Sequence, residues 1–240
     1  MTAPAAGLVA SIRRRQAQGH LPVLAEIKVR SPKEGDLLRG RTPEDLARVY
    51  GALPVAGISV VTEPVDFGGD LDIVRRIRPL VDVPILRKDF PRGAQDMRDS
   101  REAGVQIVLL TVNMLGDAIG PLHEAAHAEG LETLVEVHDP ADLAVIADLG
   151  LRPDVLGVNN RDIRIGEVDD GDVGRTERMV AAFPPDAVVL SESAIAGPED
   201  ARRARDAGAD AVLVGTAILT APDTRAMVES LIAVGWPPAR

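Results

Sequence analysis

Eight short runs of aliphatic and β-branched residues alternate along this chain with segments of helical periodicity. A helical segment lies in each of the seven intervals between the runs, and another follows the last run. The runs are mostly continuous rather than alternately apolar and polar, which is typical of parallel strands covered on both faces. They span residues 23–28, 57–62, 83–87, 106–111, 132–137, 154–159, 187–191 and 211–214. Eight β units alternating with eight α units predict an α/β fold, the (β/α)8 or TIM barrel.

Local signals mark where the helices begin and end. Thr42, followed by Pro43 and Asp45, forms a capping box with proline at the first helical position. Three further helix starts are expected at Pro140, Pro198 and Pro222, and four helix ends at Gly104, Gly130, Gly150 and Gly208. A doubly wound open sheet is the competing fold, but residues 28–32 lack the glycine-rich turn that such folds usually carry after the first strand.

A chain of 240 residues has the length of one α/β barrel, and 45% hydrophobic residues are enough for a buried core. No linker divides it, so we expect one domain over residues 1–240, with residues 1–22 as a short N-terminal helical extension. The N-terminus lacks the order of residues that marks a signal peptide, and no apolar run approaches the roughly 20 residues that span a bilayer. We therefore expect a cytoplasmic protein without a membrane partner.

The charge balance and the cysteine count exclude other classes. The net charge of −10 disfavours nucleic acid as a partner, because neutralising phosphates requires a basic surface. The chain has no cysteine, which removes disulfides, thiolate nucleophiles and cysteine-ligated metals. Only three of its 27 basic residues are lysines, namely Lys28, Lys33 and Lys88. Arginine stays protonated at working pH, whereas lysine can give or take a proton, so the positions of these three are informative.

Polar residues collect at the carboxyl ends of the predicted strands, where barrel enzymes place their chemistry. Glu26 and Lys28 are two residues apart and therefore point to the same side of their strand, as do Asn159 and Arg161. Glu136 shares the parity of an apolar strand position and is expected to face the barrel axis. The whole set is Glu26, Lys28, Thr62, Glu63, Lys88, Glu136, Asn159, Arg161, Glu192, Ser193, Gly215 and Thr216.

Two of the five aromatic residues, Phe67 and Phe90, follow the second and third strands. They either stack on a ligand ring or close the barrel top by packing. Ser193, Gly215 and Thr216 follow the last two strands, where free N–H groups and helix N-termini commonly bind phosphate.

Seven segments together resemble the indole-3-glycerol phosphate synthase family. They are LAEIKVRSP (24–32), SVVTEP (59–64) with FGG (67–69), PILRKDF (84–90), LVEVH (134–138), GVNNRD (157–162), SES (191–193) and VGT (214–216). The segments occur in order from about residue 22 to the last strand, so the resemblance covers nearly the whole barrel.

The resemblance implies a phosphorylated small-molecule substrate, 1-(2-carboxyphenylamino)-1-deoxyribulose 5-phosphate. This compound is closed into a ring, decarboxylated and dehydrated to indole-3-glycerol phosphate in tryptophan biosynthesis, without a metal or an organic cofactor. The same resemblance makes Lys88 the general acid for the substrate carbonyl and Glu136 the general base of the dehydration. Lys28 is expected to hold substrate anions, with Glu26 and Asn159 orienting it, and is a candidate for the second proton transfer.

The remaining site residues follow from the same resemblance as substrate-binding groups. Expected at the substrate are Ser31, Phe67, Phe90, Leu109, Arg161, Glu192, Ser193, Gly215 and Thr216. We expect a monomer or a weak homodimer.

Four features depart from the usual family pattern. Lys33 and Glu34 stand where the pattern has a serine before its glycine, and Pro91 follows Phe90 where an isoleucine-containing stretch is expected. Ala194 replaces a usual glycine, which is expected to tighten the phosphate pocket. The N-terminal extension, which in the family helps to cover the substrate, is short. These departures leave open a paralogue acting on a related anthranilate-type or sugar-phosphate substrate in another pathway.

Two other classes compete with this interpretation. A different phosphate-binding barrel, such as a sugar-phosphate isomerase, would not need both Lys28 and Lys88 or an aromatic slot. A catalytically inactive barrel that serves as a binding subunit would be expected to lack part of the polar set. Glu26 and Glu136 could also be structural partners of arginines at the barrel mouth.

Three remaining signals involve histidines and an acidic run. His123 and His127 match the H-E-x-x-H zinc signature, but we expect them on the outer face of a barrel helix as a solvated pair without a third ligand. His138 is either a partner of Glu136 or a cap of its strand. Residues 169–172 form an acidic run that we interpret as a solvated turn, because it lacks the ligand pattern of a calcium loop.

Overall fold

The computed structural model describes residues 7–161 and 171–237. Within this part of the chain, eight parallel strands form a closed barrel. The barrel strands are β1 (Val23–Ile27), β4 (Gly57–Val61), β5 (Ile85–Lys88), β6 (Ile107–Thr111), β7 (Glu132–Val137), β8 (Val155–Asn159), β9 (Val189–Glu192) and β10 (Ala211–Val214). Their order around the barrel is β1, β10, β9, β8, β7, β6, β5, β4, and β4 pairs with β1. Two short strands, β2 (Arg30–Ser31) and β3 (Gly35–Asp36), pair as an antiparallel hairpin just after β1.

Helices connect the strands and surround the barrel. They are α1 (Leu8–Ala17), α2 (Pro43–Gly51), α3 (Leu71–Ile77), α4 (Ala94–Ala103), α5 (Val112–Leu115), α6 (Ile119–Ala128), α7 (Pro140–Asp148), α8 (Gly174–Met179), α9 (Pro198–Ala207), α10 (Thr216–Thr220) and α11 (Thr224–Ile232). Short 3-10 turns occur at Arg78–Leu80, Gly116–Ala118 and Val180–Ala182. None of the helices in the described residues is long and apolar enough to cross a membrane.

The predicted barrel is confirmed, and each predicted run overlaps a barrel strand, although β5 and β9 each extend one residue beyond the predicted run. The capping box at Thr42 is present, with its hydroxyl accepting from the Asp45 N–H. Gly104 and Gly208 end their helices in the left-handed conformation, where glycine avoids the steric cost of a Cβ. The expectation for Pro222 is wrong: α11 begins two residues later, because Asp223 caps it by accepting from the Ala226 N–H.

Alternation along the strands separates two buried layers. Val23, Ala25 and Ile27 of β1 pack outward against the helices, whereas Leu24 belongs to the cluster inside the barrel. The same inward positions carry Leu86, Leu109, Leu134 and Leu190 on other strands. Two residues further along their strands, the inward positions become polar, at Glu26, Lys88, Thr111, Glu136 and Glu192. The apolar layers therefore form the floor on which a charged layer sits at the carboxyl ends of the strands.

The N-terminal helix α1 closes the opposite end of the barrel. Leu8 and Ile12 join the interior apolar cluster, and the Glu132 carboxylate at the start of β7 accepts from the Leu8 and Val9 N–H groups. Burial raises the pKa of the Glu132 carboxyl, and the two N–H groups oppose that shift. The described part of the extension therefore covers the amino ends of the barrel strands and lies at the opposite end of the barrel from the charged layer.

Candidate active site

A cavity of about 480 Å³ opens at the carboxyl ends of the strands. Its wall includes seven of the residues singled out from the sequence: Glu26, Lys28, Lys88, Arg161, Ser193, Gly215 and Thr216. A neighbouring slot brings Phe67, Phe90 and Leu109 together beside Lys28 and Lys88. A third recess contains Ser31 and Lys33, next to Lys28, Arg161 and Thr216.

Lys88 and Glu192 form an ion pair across the barrel mouth. Nζ of Lys88 lies 3.2 Å from Oε2 of Glu192, with the lysine side chain 14% exposed and the glutamate fully buried. Their strands β5 and β9 are four positions apart in the ring of eight, so the pair crosses the barrel axis. The ion pair therefore holds the Lys88 ammonium near the barrel axis, where it is largely shielded from solvent.

The glycine of β8 makes room for this pair. A methyl group on Gly157 would lie 3.0 Å from Oε1 of Glu192 and 3.7 Å from Cα of Glu136. The Glu192 carboxylate thus lies over the strand next to Glu136, and a methyl group at position 157 would press against it.

Lys28 is held by a second ion pair and by an aromatic ring. Its Nζ lies 3.0 Å from Oε1 of Glu26 and 5.8 Å from the centre of the Phe67 ring, within the range of a cation–π contact. A methyl group on Gly215 would overlap the Glu26 carboxylate. Gly215 is therefore needed for Glu26 to reach Lys28.

Replacing Gly215 by alanine is expected to lower kcat/KM by about tenfold or more, because the displaced carboxylate would move Lys28 away from substrate anions. The measurement is steady-state kinetics together with thermal unfolding. Gly120→Ala is the matched control, since a methyl group added to Gly120 on α6 would meet no neighbouring group within 4 Å. If kcat/KM is the same in the two variants, the position of the Glu26 carboxylate does not affect turnover.

Glu136 and Asn159 lie below the cavity wall rather than on it. Both are fully buried, and neither lines the three recesses described above. Oε1 of Glu136 accepts from the Thr111 hydroxyl at 3.1 Å, and Oε2 accepts from Nδ2 of Asn159 at 3.0 Å. Glu26 and Glu136 were alternatively interpreted as partners of arginines. In these contacts Glu26 pairs with Lys28, and Glu136 accepts from the neutral groups of Thr111 and Asn159.

His138 completes the surroundings of Glu136. Its Nε2 lies 3.8 Å from Oε1 of Glu136, and its Nδ1 lies 3.1 Å from Nδ2 of Asn113. Oδ2 of Asp142 accepts from the His138 backbone N–H at 2.7 Å. Burial by itself would raise the pKa of the Asp142 carboxyl, but its interactions with the backbone N–H and the ring of His138 outweigh burial and hold that pKa below its usual value.

The expected phosphate-binding residues meet at one wall of the large cavity. Ser193 and Ala194 both adopt left-handed backbone conformations, with φ of 65° and 55°, and both line the cavity next to Gly215 and Thr216. Arg161 lines the same cavity, and its Nε has no hydrogen-bond partner among the described residues. The Ala194 methyl group therefore fills space at this wall that a glycine would leave open.

Comparison with known proteins agrees with this geometry. The family model for indole-3-glycerol phosphate synthase matches residues 1–231. The chain belongs to the indole-3-glycerol phosphate synthase family. It is 39% identical over 228 residues to an indole-3-glycerol phosphate synthase of Thermococcus kodakarensis, which covers 95% of this chain and 98% of the relative. It is 41% identical over 221 residues to one from Halobacterium salinarum, which covers 92% of this chain and 84% of the relative.

Membership in the indole-3-glycerol phosphate synthase family confirms the predicted enzyme class, a carboxy-lyase of tryptophan biosynthesis. The sugar-phosphate isomerase interpretation is thereby overturned. The roles of individual residues are not tested by these similarities and stay predictions.

Two departures from the pattern of the indole-3-glycerol phosphate synthase family have local structural explanations. Lys33 and Glu34 form the tip of the β2–β3 hairpin, where the Ser31 hydroxyl accepts from the Glu34 N–H. The Asp96 carboxylate accepts from the N–H groups of Arg92 and Gly93, which starts α4 directly after Pro91. These contacts fix the loops above β1 and β5 without involving the charged layer.

Sequence reasoning missed several residues that hold this indole-3-glycerol phosphate synthase site in place. Nδ2 of Asn160 donates to the Ser191 hydroxyl and to the carbonyl groups of Glu192 and Ser193, and its Oδ1 accepts from Thr176. This fully buried network joins the ends of β8 and β9 to α8. The one available signal was the second asparagine of the Asn159–Asn160 pair, which points to the opposite side of the strand from Asn159.

Glu63, which the sequence placed after the second strand without a role, supports the aromatic slot. The Glu63 carboxylate accepts from the N–H groups of Val65, Asp66 and Phe67, which folds the loop that presents the Phe67 ring. On the next strand, Arg87 donates to the Asp89 carboxylate at 2.9 Å, directly before Phe90. These contacts give Phe67 and Phe90 defined positions beside the two lysines.

The pair of histidines His123 and His127 lies on α6, away from the site. His123 is buried rather than solvated as expected, and its Nδ1 is 3.0 Å from the Thr133 hydroxyl near the amino end of β7. His127 instead pairs with Asp154. In the described ranges, no group of three or more His, Asp or Glu side chains could hold a metal ion. Asp162, Asp169 and Asp170 lie outside the described residues, and Asp172 pairs with Arg203.

Proposed function

We propose that this barrel mouth converts 1-(2-carboxyphenylamino)-1-deoxyribulose 5-phosphate to indole-3-glycerol phosphate, with Lys88 as the general acid. The observation that carries the proposal is the position of the Lys88 ammonium. It lies at the barrel axis, held by Glu192, between the apolar slot of Phe67 and Phe90 and the large polar cavity. A substrate with an aromatic ring at one end and a phosphate at the other would place its central carbonyl there.

The two ends of the substrate find matching chemistry. Phe67, Phe90 and Leu109 offer apolar surface to the anthranilate ring. Ser193, Gly215 and Thr216 offer the phosphate a hydroxyl-bearing and N–H-bearing wall at the start of α10. Lys28 and Arg161 supply positive charge for the substrate anions in a protein whose net charge is −10.

The reaction follows from these positions. The aromatic carbon that bears the carboxylate attacks the carbonyl carbon while Lys88 gives a proton to the carbonyl oxygen, so the ketone becomes an alcohol. Loss of carbon dioxide returns its bonding electrons to the ring and restores aromaticity. Glu136 then takes a proton while the hydroxyl group leaves as water with a second proton, for which Lys28 is the candidate donor. Asn159 and Glu26 orient Glu136 and Lys28 respectively.

The direct test is a fluorescence assay for the indole product with the purified full-length chain and this substrate. Turnover with a KM in the micromolar range supports the proposal. Binding of the substrate without turnover identifies an inactive barrel, and absence of both binding and turnover identifies a paralogue with another substrate. A phosphate-free analogue of the substrate is the matched control, and we expect it to bind far more weakly.

Further expectations belong with this proposal. We infer that the whole chain of 240 residues forms one barrel domain with residues 1–22 as its N-terminal extension. The protein works in the cytoplasm as a monomer or weak homodimer, with no nucleic-acid partner and no cofactor. Size-exclusion chromatography with light scattering tests the oligomeric state.

A further inference from the structure

His138 is a buried titratable residue that the proposed reaction leaves without a role. Its side chain is 1% exposed and lies directly after β7, two residues beyond Glu136. Its Nε2 is buried without a hydrogen-bond partner among the described residues and lies 3.8 Å from Oε1 of Glu136. A buried polar atom without a hydrogen-bond partner lowers the stability of the fold, so the location of Nε2 needs an explanation.

Neighbouring helices fix the ring of His138 in one orientation. Nδ1 of the ring lies 3.1 Å from Nδ2 of Asn113, which belongs to α5, and with this amide as the donor the imidazole carries a hydrogen on Nε2. On α7, Oδ2 of Asp142 accepts from the backbone N–H and lies 3.7 Å from Nδ1. The Nε2–H group therefore points toward Glu136.

The charged groups around this ring are few. Glu136 faces it on its own strand, Asp142 faces it from α7, and α5 contributes only the neutral Asn113. Beyond Glu136, across Gly157, lies the Glu192 carboxylate, which is paired with Lys88. Glu136 is thus placed next to another carboxylate, and donors on its remaining sides are what favour its ionised form.

We propose that His138 is a positioning residue that orients Glu136 and keeps it ionised, an inference that rests on the proposed role of Glu136 as the base. The Thr111 hydroxyl and the Asn159 amide already donate to this carboxylate. A movement of less than about 1 Å brings Nε2–H within hydrogen-bond range as a third donor. Catalytic hydrogen bonds are often long without substrate and shorten when it binds.

His138→Phe tests this by removing the donor while keeping a planar ring. We expect kcat to fall about tenfold with KM changed little, and the acid limb of the kcat–pH profile to move up by about one pH unit. His138→Gln, whose amide N–H can take the place of Nε2–H, should restore most of both. His123→Phe is the matched control, because it removes a buried imidazole that contacts the other end of β7. It should leave the acid limb where it is.

A double-mutant cycle separates the positioning role of His138 from the proposed role of Glu136 as the base. With Glu136→Gln as background, His138→Phe should cause no further loss of kcat, because no carboxylate remains to be held. If Glu136→Gln alone leaves turnover unchanged, the role of Glu136 is wrong. If Glu136→Gln lowers turnover strongly but measurably while His138→Phe lowers kcat by the same factor in that background as in the parent, or leaves the acid limb in place, the positioning role is overturned. His138→Asn, too short to reach Glu136, replaces the phenylalanine variant if that one does not fold.

Discussion

Replacing Lys88 by methionine is expected to lower kcat by about 10³-fold, at the upper part of the range for a lost general acid. Methionine keeps the length of the apolar stem but has no proton to give to the substrate carbonyl. Release of carbon dioxide and formation of the indole product should slow by the same factor, because ring closure precedes both. Substrate binding, measured by calorimetry, should weaken by about tenfold at most, since the apolar slot and the phosphate wall are left intact.

Two control variants separate proton donation from charge. Lys88→Arg keeps the cation opposite Glu192 but holds its proton too tightly to donate it, so it should be nearly as inactive as methionine. Glu192→Gln removes the ion-pair partner and keeps the proton donor, so it should lose much less activity than either. An arginine variant with more than a tenth of the normal kcat would mean that Lys88 acts by charge alone.

The fold was predictable because each helix and strand leaves a local signal. Continuous apolar runs such as Ile107–Thr111 occur only where both faces of a strand are covered, and the capping box at Thr42 sets a helix start by local hydrogen bonding. Pro222 was misleading because Asp223, one residue later, provides a better cap. Competition between neighbouring capping residues depends on the whole turn rather than on one residue type.

The site was only partly predictable, for a geometric reason. Strand parity was enough to predict that Glu136 faces the barrel axis and that Glu26 and Lys28 point to one side of their strand, because side chains alternate along a strand. Parity does not give contacts between strands that are far apart in sequence. The pair between Lys88 and Glu192 depends on barrel closure, which sets β5 opposite β9.

The depth at which each polar side chain lies in the barrel could not be predicted from the sequence either. Glu136 and Asn159 were expected at the substrate, and both are fully buried and lie beneath the cavity wall. The side chains that would meet a methyl group at positions 157 and 215 belong to other strands. No local pattern in a single sequence distinguishes these glycines from those in ordinary turns.

Glu136→Gln is expected to separate the two halves of the reaction. Glutamine fits the same space, and its amide can still meet both neighbours: its oxygen accepts from Asn159, and its N–H group donates to the Thr111 hydroxyl, which can rotate. The fold should therefore persist, with a thermal unfolding midpoint within a few degrees of the parent. Ring closure and decarboxylation need no base at this position, whereas the dehydration does.

With substrate labelled in its carboxyl group, this variant should release about one equivalent of labelled carbon dioxide per active site in a rapid-quench experiment. Indole formation should be slower by about 10³-fold, so the ring-closed intermediate accumulates on the enzyme. Lys88→Met is the matched comparison, because it should release almost no label in the same time. If carbon dioxide and indole fall together in Glu136→Gln, Glu136 acts before decarboxylation. The base of the dehydration must then be sought among the groups that line the cavity, with Glu26 first because it already forms an ion pair with Lys28.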